Sequence, residues 1–213
     1  RGGASYFLGN SRGPGTPMKI LLTGSTGFIG SNLLRELVTN HEVWCLDRQV
    51  SSRYIRKDRT LYADLAEPSG LEAILVALRP DIVIHLAAIS PVTYSFENPG
   101  HVMNVNTSGT IALAVAAKHA RVKLFVHAST SEVYGNQQDF PIPEEASMSA
   151  TSPYAASKIA AEECLRLLQD DNFPIVIMRP FNTYGRARVQ SRHFVVEKII
   201  TGMLLGEQVK LGS

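Results

Sequence analysis

Lys19-Ile20-Leu21-Leu22-Thr23-Gly24-Ser25-Thr26-Gly27-Phe28-Ile29-Gly30 is the stretch from which the fold of this 213-residue chain can be read. Its first five residues are an apolar run of strand length. From Phe28 to Val38 the apolar positions 29, 33, 34 and 37 fall on one face of a helix. Between strand and helix the glycines repeat as G-x-x-G-x-x-G. Glycine allows a tight turn and a close approach of backbone to a ligand, and a helix N-terminus offers unpaired N–H groups to an anion. At a strand–helix junction this pattern suits the pyrophosphate of a dinucleotide. Gly24, Gly27, Phe28, Ile29 and Gly30 are the expected contacts.

Outward from this turn, strand-length apolar runs alternate with helical periods. Expected strands are Glu42–Leu46, Leu61–Ala63, Asp81–Leu86, Val122–Ala128 and Pro174–Met178. Expected helices are Pro68–Leu78, Val102–His119, Pro153–Gln169 and Phe194–Leu205, and Gln208–Leu211 reads as a further strand. Continuously apolar strands belong in a sheet covered on both faces, and helical crossovers make that sheet parallel. The expectation is a doubly wound α/β domain over residues 18–213. Residues 1–17 hold five glycines and two prolines and read as a flexible leader or cloning remnant, with Met18 as a natural start.

Composition narrows the function. Twenty-one Lys plus Arg against 19 Asp plus Glu leave a net charge of +2, which gives no electrostatic reason to expect nucleic acid or an anionic membrane as partner. Cys45 and Cys164 lie far apart and form no Cys-x-x-Cys, so a disulfide scaffold and a zinc ribbon are excluded, and a reducing, cytoplasmic compartment fits. No apolar run is long enough to span a bilayer. No His/Cys/Asp grouping has metal-ligand spacing, so no metal is expected.

Asp47 ends the second strand, 23 residues after Gly24. A carboxylate there accepts from ribose hydroxyls and repels a 2′-phosphate, favouring NAD over NADP. Arg48 beside it argues the other way, since a guanidinium neutralises a phosphate. Asp64, followed by Leu65, is a second candidate, placed to meet the adenine or simply to cap the helix before Pro68.

Tyr154 and Lys158 are spaced i, i+4, on one face of a helix. A phenol titrates near pH 10. An ammonium about 5 Å away at an effective dielectric of about 20 favours the phenolate by roughly 3 kcal/mol, or about two pKa units. The expectation is a tyrosine base acidified by its lysine neighbour. Upstream, at a strand end where ligands of open α/β sheets bind, stands Ser129-Thr130-Ser131-Glu132-Val133-Tyr134-Gly135. Thr130 suits a hydrogen bond to a reacting hydroxyl, and Glu132 suits a general acid/base. His85 and His127 read as satisfied core or supporting histidines. Arg179, Arg186, Arg188 and Arg192 form a basic cluster, either solvated or in contact with a substrate diphosphate.

The glycine turn, Leu86-Ala87-Ala88, Ser129 to Gly135, Tyr154-x-x-x-Lys158 and Arg179-Pro180-Phe181-Asn182-Thr183-Tyr184-Gly185 occur in one order. Together they resemble the extended short-chain dehydrogenase/reductases, in particular the NAD-dependent epimerase/dehydratase branch acting on nucleotide sugars. The resemblance implies a Rossmann-type sheet, NAD as cofactor and a nucleotide-diphosphate sugar as substrate. It implies Thr130, Tyr154 and Lys158 as the catalytic triad, with Lys158 also on the nicotinamide ribose. Leu86, Ala87, Ala88 and Pro180 would line the cofactor, and Asn106 would buttress the site. Ser90, Thr130, Asn182 and Arg192 would meet the substrate. It also implies a homodimer through Val102–His119 and Pro153–Gln169. A small C-terminal substrate domain would be largely missing from this chain, leaving it able to bind NAD but weak in turnover.

Within the branch, Thr-Ser-Glu at 130–132 is similar to 4,6-dehydratases, which need an acid/base beyond the tyrosine. Some of these carry Asp-Glu where this chain has Ser131-Glu132. A 4-epimerase is the alternative. A catalytically silent NAD-binding regulator is an alternative of another class, opposed by the intact Thr130, Tyr154 and Lys158.

Overall fold

The computed structural model describes residues 16–48, 57–185 and 195–206. Among them six strands, β1 (Lys19–Thr23), β2 (Glu42–Asp47), β3 (Thr60–Tyr62), β4 (Ile82–His85), β5 (Leu124–Ala128) and β6 (Ile175–Met178), form one sheet in the order β3-β2-β1-β4-β5-β6. Every pairing is parallel. The order reverses between β1 and β4, which opens a crevice beyond their carboxyl ends. The doubly wound expectation holds.

Alternation along the strands sorts the core onto two faces. Leu21, Leu46, Val83 and Phe125 point to one side and meet Leu71, Leu75, Leu113, Ala117 and Leu165. Leu22, Val43 and Cys45 point to the other and meet Leu34. The first set comes from helices α2 (Leu71–Leu78), α5 (Thr110–His119) and α6 (Pro153–Leu168), and Leu34 from α1 (Phe28–Leu37). The sheet is buried on both faces, as its uninterrupted apolar strands require.

Two helices differ from expectation. Pro68 does not open α2. Gly70 adopts a left-handed conformation, φ 89°, so the helix starts only at Leu71. The long helix expected from Val102 begins earlier, as α4 (Pro99–Met103), and is interrupted by a π-helical turn over Asn104–Gly109 before α5. Within that turn a Cβ on Gly109 would lie 2.5 Å from the Leu65 carbonyl oxygen. Glycine lets the wide turn press against the loop after β3, and such turns commonly serve functional sites. A short helix α3 (Val92–Glu97) and a 3₁₀ turn at Ser131–Tyr134 are not among the elements expected from the sequence.

Helix α6 carries clear start signals. Ser152 accepts the Ala155 N–H at 3.1 Å, and Pro153 occupies the first turn. Ser152→Ala is expected to cost about 1 kcal/mol. In a chain of this size that lowers the thermal midpoint by about 2–4 °C. Ser152→Thr should restore it in the same melting experiment.

The chain divides into two compact units, Arg1–Phe181 and Asn182–Ser213. The second contains α7 (Val195–Leu205), whose Ile200, Met203 and Leu204 are exposed. Among the described residues no helix is long and apolar enough to cross a membrane. Residues 1–15 and 207–213, and with them most of the expected leader and the Gln208–Leu211 strand, lie outside the described residues.

Candidate functional site

The glycine turn is built by contact with its neighbours. Gly24 has φ 70°, and a Cβ there would sit 2.7 Å from the Ala87 backbone nitrogen. The turn after β1 is thereby pressed against Leu86-Ala87 after β4, at the point where the strand order reverses. A Cβ on Gly30 would collide with the Gly24 carbonyl oxygen, so the start of α1 packs directly on the loop. The Gly27 N–H closes the turn on the Gly24 carbonyl at 3.1 Å. Gly27, the N-cap of α1, supplies no side-chain cap, and the first turn holds no acidic residue. A cradle without side chains and a helix end without acidic side chains fit a bound pyrophosphate.

Asp47 is buried at the end of β2. It accepts a hydrogen bond from the Ser25 hydroxyl and a longer one, 3.5 Å, from Thr26. Burial raises its carboxyl above the usual range, and the hydrogen bonds from Ser25 and Thr26 work against that rise. Arg48 is exposed beside it. Asp64 accepts the Ala66 N–H at 2.9 Å and so closes its own local turn, with Leu65 buried next to it.

A buried chain of hydrogen bonds runs from the glycine turn to α6. The Ala87 N–H donates to the Thr23 hydroxyl, 3.1 Å, which lies 2.7 Å from His85 Nδ1. His85 Nε2 lies 2.8 Å from the Thr110 hydroxyl, which itself donates to the Asn106 carbonyl. Because Thr110 spends its proton on Asn106, Nε2 of His85 is the protonated nitrogen and Nδ1 accepts from Thr23. From the π-helical turn the Asn106 side chain receives the Ile89 N–H and returns a bond to the Ile89 carbonyl, at 2.8 and 2.9 Å. It also donates to the Ser157 hydroxyl, which donates to the Tyr154 carbonyl. Asn106 thus fastens the loop after β4 to α6.

Tyr154 and Lys158 are both buried on the inner face of α6. Lys158 Nζ donates to the Ala128 carbonyl at the end of β5, 2.8 Å away. Burial lowers its ammonium to about 8, with the Glu162 carboxylate holding against the fall. The expected acidification of Tyr154 by Lys158 is not found. Burial raises the phenol above 10, the Glu132 carboxylate adds to the rise, and only the Thr130 hydroxyl favours the phenolate. The physical reason is that desolvation outweighs the neighbouring dipole, while the Lys158 ammonium is engaged with a carbonyl.

Thr130 is buried and its hydroxyl accepts the Glu132 N–H at 3.2 Å, starting the 3₁₀ turn. The Ser129 and Ser131 N–H groups donate to the Met178 and Pro180 carbonyls, so β5 and β6 stay in register past their ends. Pro180 is therefore held beside Thr130. Glu132 is exposed, yet partial shielding raises its carboxyl. Ser90 is exposed after β4, and Leu86, Ala87 and Ala88 are half-buried. Asn182 is exposed in the second unit, and Arg186, Arg188 and Arg192 lie outside the described residues.

Two readings of single residues change. Arg179 is not a free basic group but pairs with the buried Glu162 at 2.6 Å and donates to Tyr134 and to the Glu144 carbonyl. His85 is a satisfied core histidine, as expected. His127 is buried too, but neither ring nitrogen has a hydrogen-bond partner among the described residues, and its ring lies 5.4 Å from that of His85. Glu162 was not singled out from the sequence, although its spacing from Lys158 repeats that of Lys158 from Tyr154.

Burial keeps His85 neutral, lowered to about 3 from an ordinary 6.5, and pushes His127 the same way. The unfolded chain takes up these protons first. His85's contribution to stability is complete above pH 6.5 and is lost as pH falls toward 3, and His127 acts in the same direction. For His85 the loss between pH 6.5 and pH 5 is about 2 kcal/mol. Denaturant midpoints should fall over that window, and His85→Gln should flatten the slope.

The NAD dependent epimerase/dehydratase family model matches residues 20–213. The chain belongs to that family. Its cofactor is NAD, and similar solved structures hold NAD. Human dTDP-D-glucose 4,6-dehydratase is 33% identical over 184 residues, covering 80% of this chain and 53% of that protein. UDP-glucose 4-epimerase of Mycolicibacterium smegmatis is 33% identical over 206 residues, covering 91% of this chain and 66% of that protein. Among solved structures, UDP-glucose 4-epimerase of Thermotoga maritima with UDP-glucose superposes with a TM-score of 0.83 at 29% identity, covering 92% of this chain and 66% of that one. The chain spans about half the length of the human relative it matches. Among the described residues no His, Cys, Asp or Glu cluster is arranged for a metal ion, and Cys45 and Cys164 are free.

Proposed function

We propose that this epimerase/dehydratase family member acts on a nucleotide-diphosphate sugar, with Thr130, Tyr154 and Lys158 at the reacting centre, and that its reaction is a 4,6-dehydration. When bound, NAD supplies reversible hydride acceptance. Tyr154 takes the proton of the sugar C4 hydroxyl at its phenol oxygen. Thr130, hydrogen-bonded to that phenol, aligns the hydroxyl. Lys158, buried and still cationic at neutral pH, would hold the cofactor's nicotinamide ribose, and its charge would favour the phenolate. Asp47 receives the adenosine ribose hydroxyls, and Asn106 holds the floor of the crevice.

The observation that favours dehydration is Glu132. It stands two residues beyond Thr130, is solvent-facing, and its charge is felt by the Tyr154 phenol. Its carboxyl, raised by partial shielding, suits removal of the C5 proton and protonation of the departing C6 hydroxyl. A 4-epimerase needs no such group. The second reading, 4-epimerase, is favoured by the likeness to the Mycolicibacterium and Thermotoga enzymes.

The deciding experiment offers the protein NAD with dTDP-, UDP-, GDP- and CDP-linked sugars and follows product mass. Loss of one water with a 4-keto product identifies the dehydratase, and Glu132→Gln should then stop water loss while leaving C4 oxidation measurable. Unchanged mass with an inverted C4 centre identifies the epimerase and overturns the role given to Glu132. No conversion of any nucleotide sugar by the full-length protein would return the silent regulator.

A further inference from the structure

We propose that Glu162 is a positioning residue of this site: a buried carboxylate that balances the charge of Lys158 and ties the Ser129–Thr130 and Arg179–Pro180 edges of the sheet to the helix bearing Tyr154. The inference rests on the reading in which Lys158 meets the cofactor. Glu162 lies one helical turn beyond Lys158 on the same inner face of α6, and its side chain is fully buried. A carboxylate taken out of water needs its lone pairs met, and here each oxygen is used. The Ser129 hydroxyl donates to one oxygen, together with Arg179 Nε at 3.1 Å. Arg166 at 2.9 Å and the Arg179 terminal nitrogen at 2.6 Å donate to the other. Ser129 directly precedes Thr130 of the reacting centre, and Arg179 directly precedes Pro180, held beside Thr130.

The charges facing Lys158 give this hub a second consequence. From β4 and β5 it meets His85 and His127, both kept neutral by burial. From β5 it meets the Ala128 carbonyl. Arg179 pairs with Glu162, Arg166 is shared between Glu162 and the exposed Glu163, and the Glu132 carboxylate acts on the Tyr154 phenol. Glu162 is the anion that offsets the burial of the ammonium. Without its charge, Arg179 would lose its carboxylate partner beside Lys158, while Arg166 would keep its pair with the exposed Glu163.

Lysine labelled with carbon-13 at Cε reports this directly, the Lys158 resonance being identified by its loss in Lys158→Met. The parent should titrate near 8. Glu162→Gln, which keeps the shape but removes the charge, should lower the midpoint by at least about one pH unit. Arg166→Gln removes a half-exposed cation shared by Glu162 and the exposed Glu163 and should raise it by a smaller amount. Opposite shifts are the signature of charge balance, because a merely loosened helix moves both variants the same way. NAD affinity, measured on either side of the midpoint, should fall at lower pH in Glu162→Gln than in the parent. Unmoved midpoints, or shifts in one direction, overturn the proposal. If Glu162→Gln does not fold, the sign of the Arg166→Gln shift decides alone. A pH profile of NAD affinity unchanged in Lys158→Met would overturn the contact between Lys158 and cofactor, while the resonance shifts still judge Glu162.

Discussion

Tyr154→Phe should reduce turnover of the nucleotide sugar by about 10²–10⁴-fold, the usual contribution of a positioned acid/base, and leave NAD affinity nearly unchanged. The substitution removes one oxygen from a side chain whose ring packing on α6 is retained. The hydroxyl lost is the one to which Thr130 is hydrogen-bonded and whose titration Glu132 influences. Because burial raises this phenol above its ordinary value, the base form is scarce at neutral pH in the free chain. In the parent, kcat/KM should therefore climb with pH through the neutral range. The residual rate of Tyr154→Phe should not climb. Full turnover in the variant, or a residual rate that keeps the parental pH dependence, would assign the proton to another group, with Glu132 first in line.

Gly30→Ala should weaken NAD binding by up to about 100-fold. The added methyl meets the carbonyl of Gly24 and the Cα of Ser25, backbone atoms that have no rotamer to escape into. Overpacking of this kind costs about 1–3 kcal/mol. At about 1.4 kcal/mol per factor of ten, the upper end is about a hundredfold if relief comes by moving the turn away from the anion. The loop can yield only by pulling Gly24 off Ala87 or by dragging Ser25 from Asp47, and either move opens the cradle. Calorimetric titration with NAD, beside a thermal melt, separates the two ways of losing affinity. A variant that melts like the parent and binds NAD as tightly would show that the close approach of α1 to the turn is irrelevant to the cofactor.

The larger effects fall on residues legible without coordinates. The glycine spacing, the i, i+4 pair Tyr154 and Lys158, and the Thr130–Glu132 stretch are local patterns. Continuous apolar strands announce a two-sided parallel sheet for an equally local reason: each residue's neighbours in sequence set which face it covers. Boundaries were less legible. Gly70 in a left-handed conformation delays α2, and Gly109 allows a π-helical turn where an alanine-rich sequence suggested unbroken α-helix. Both depend on what lies across space.

By itself, then, the sequence determined the doubly wound sheet, the cofactor cradle and the family, because strand character, helix face and turn chemistry are written in residues a few positions apart. Only the tertiary structure decided the electrostatics. It gave Arg179 to Glu162, left His127 without a hydrogen-bond partner among the described residues, and raised the Tyr154 phenol where spacing alone had promised to lower it. The reason is desolvation: the cost of a charge depends on everything that excludes water from it, and those groups come from strands and helices far apart in the chain.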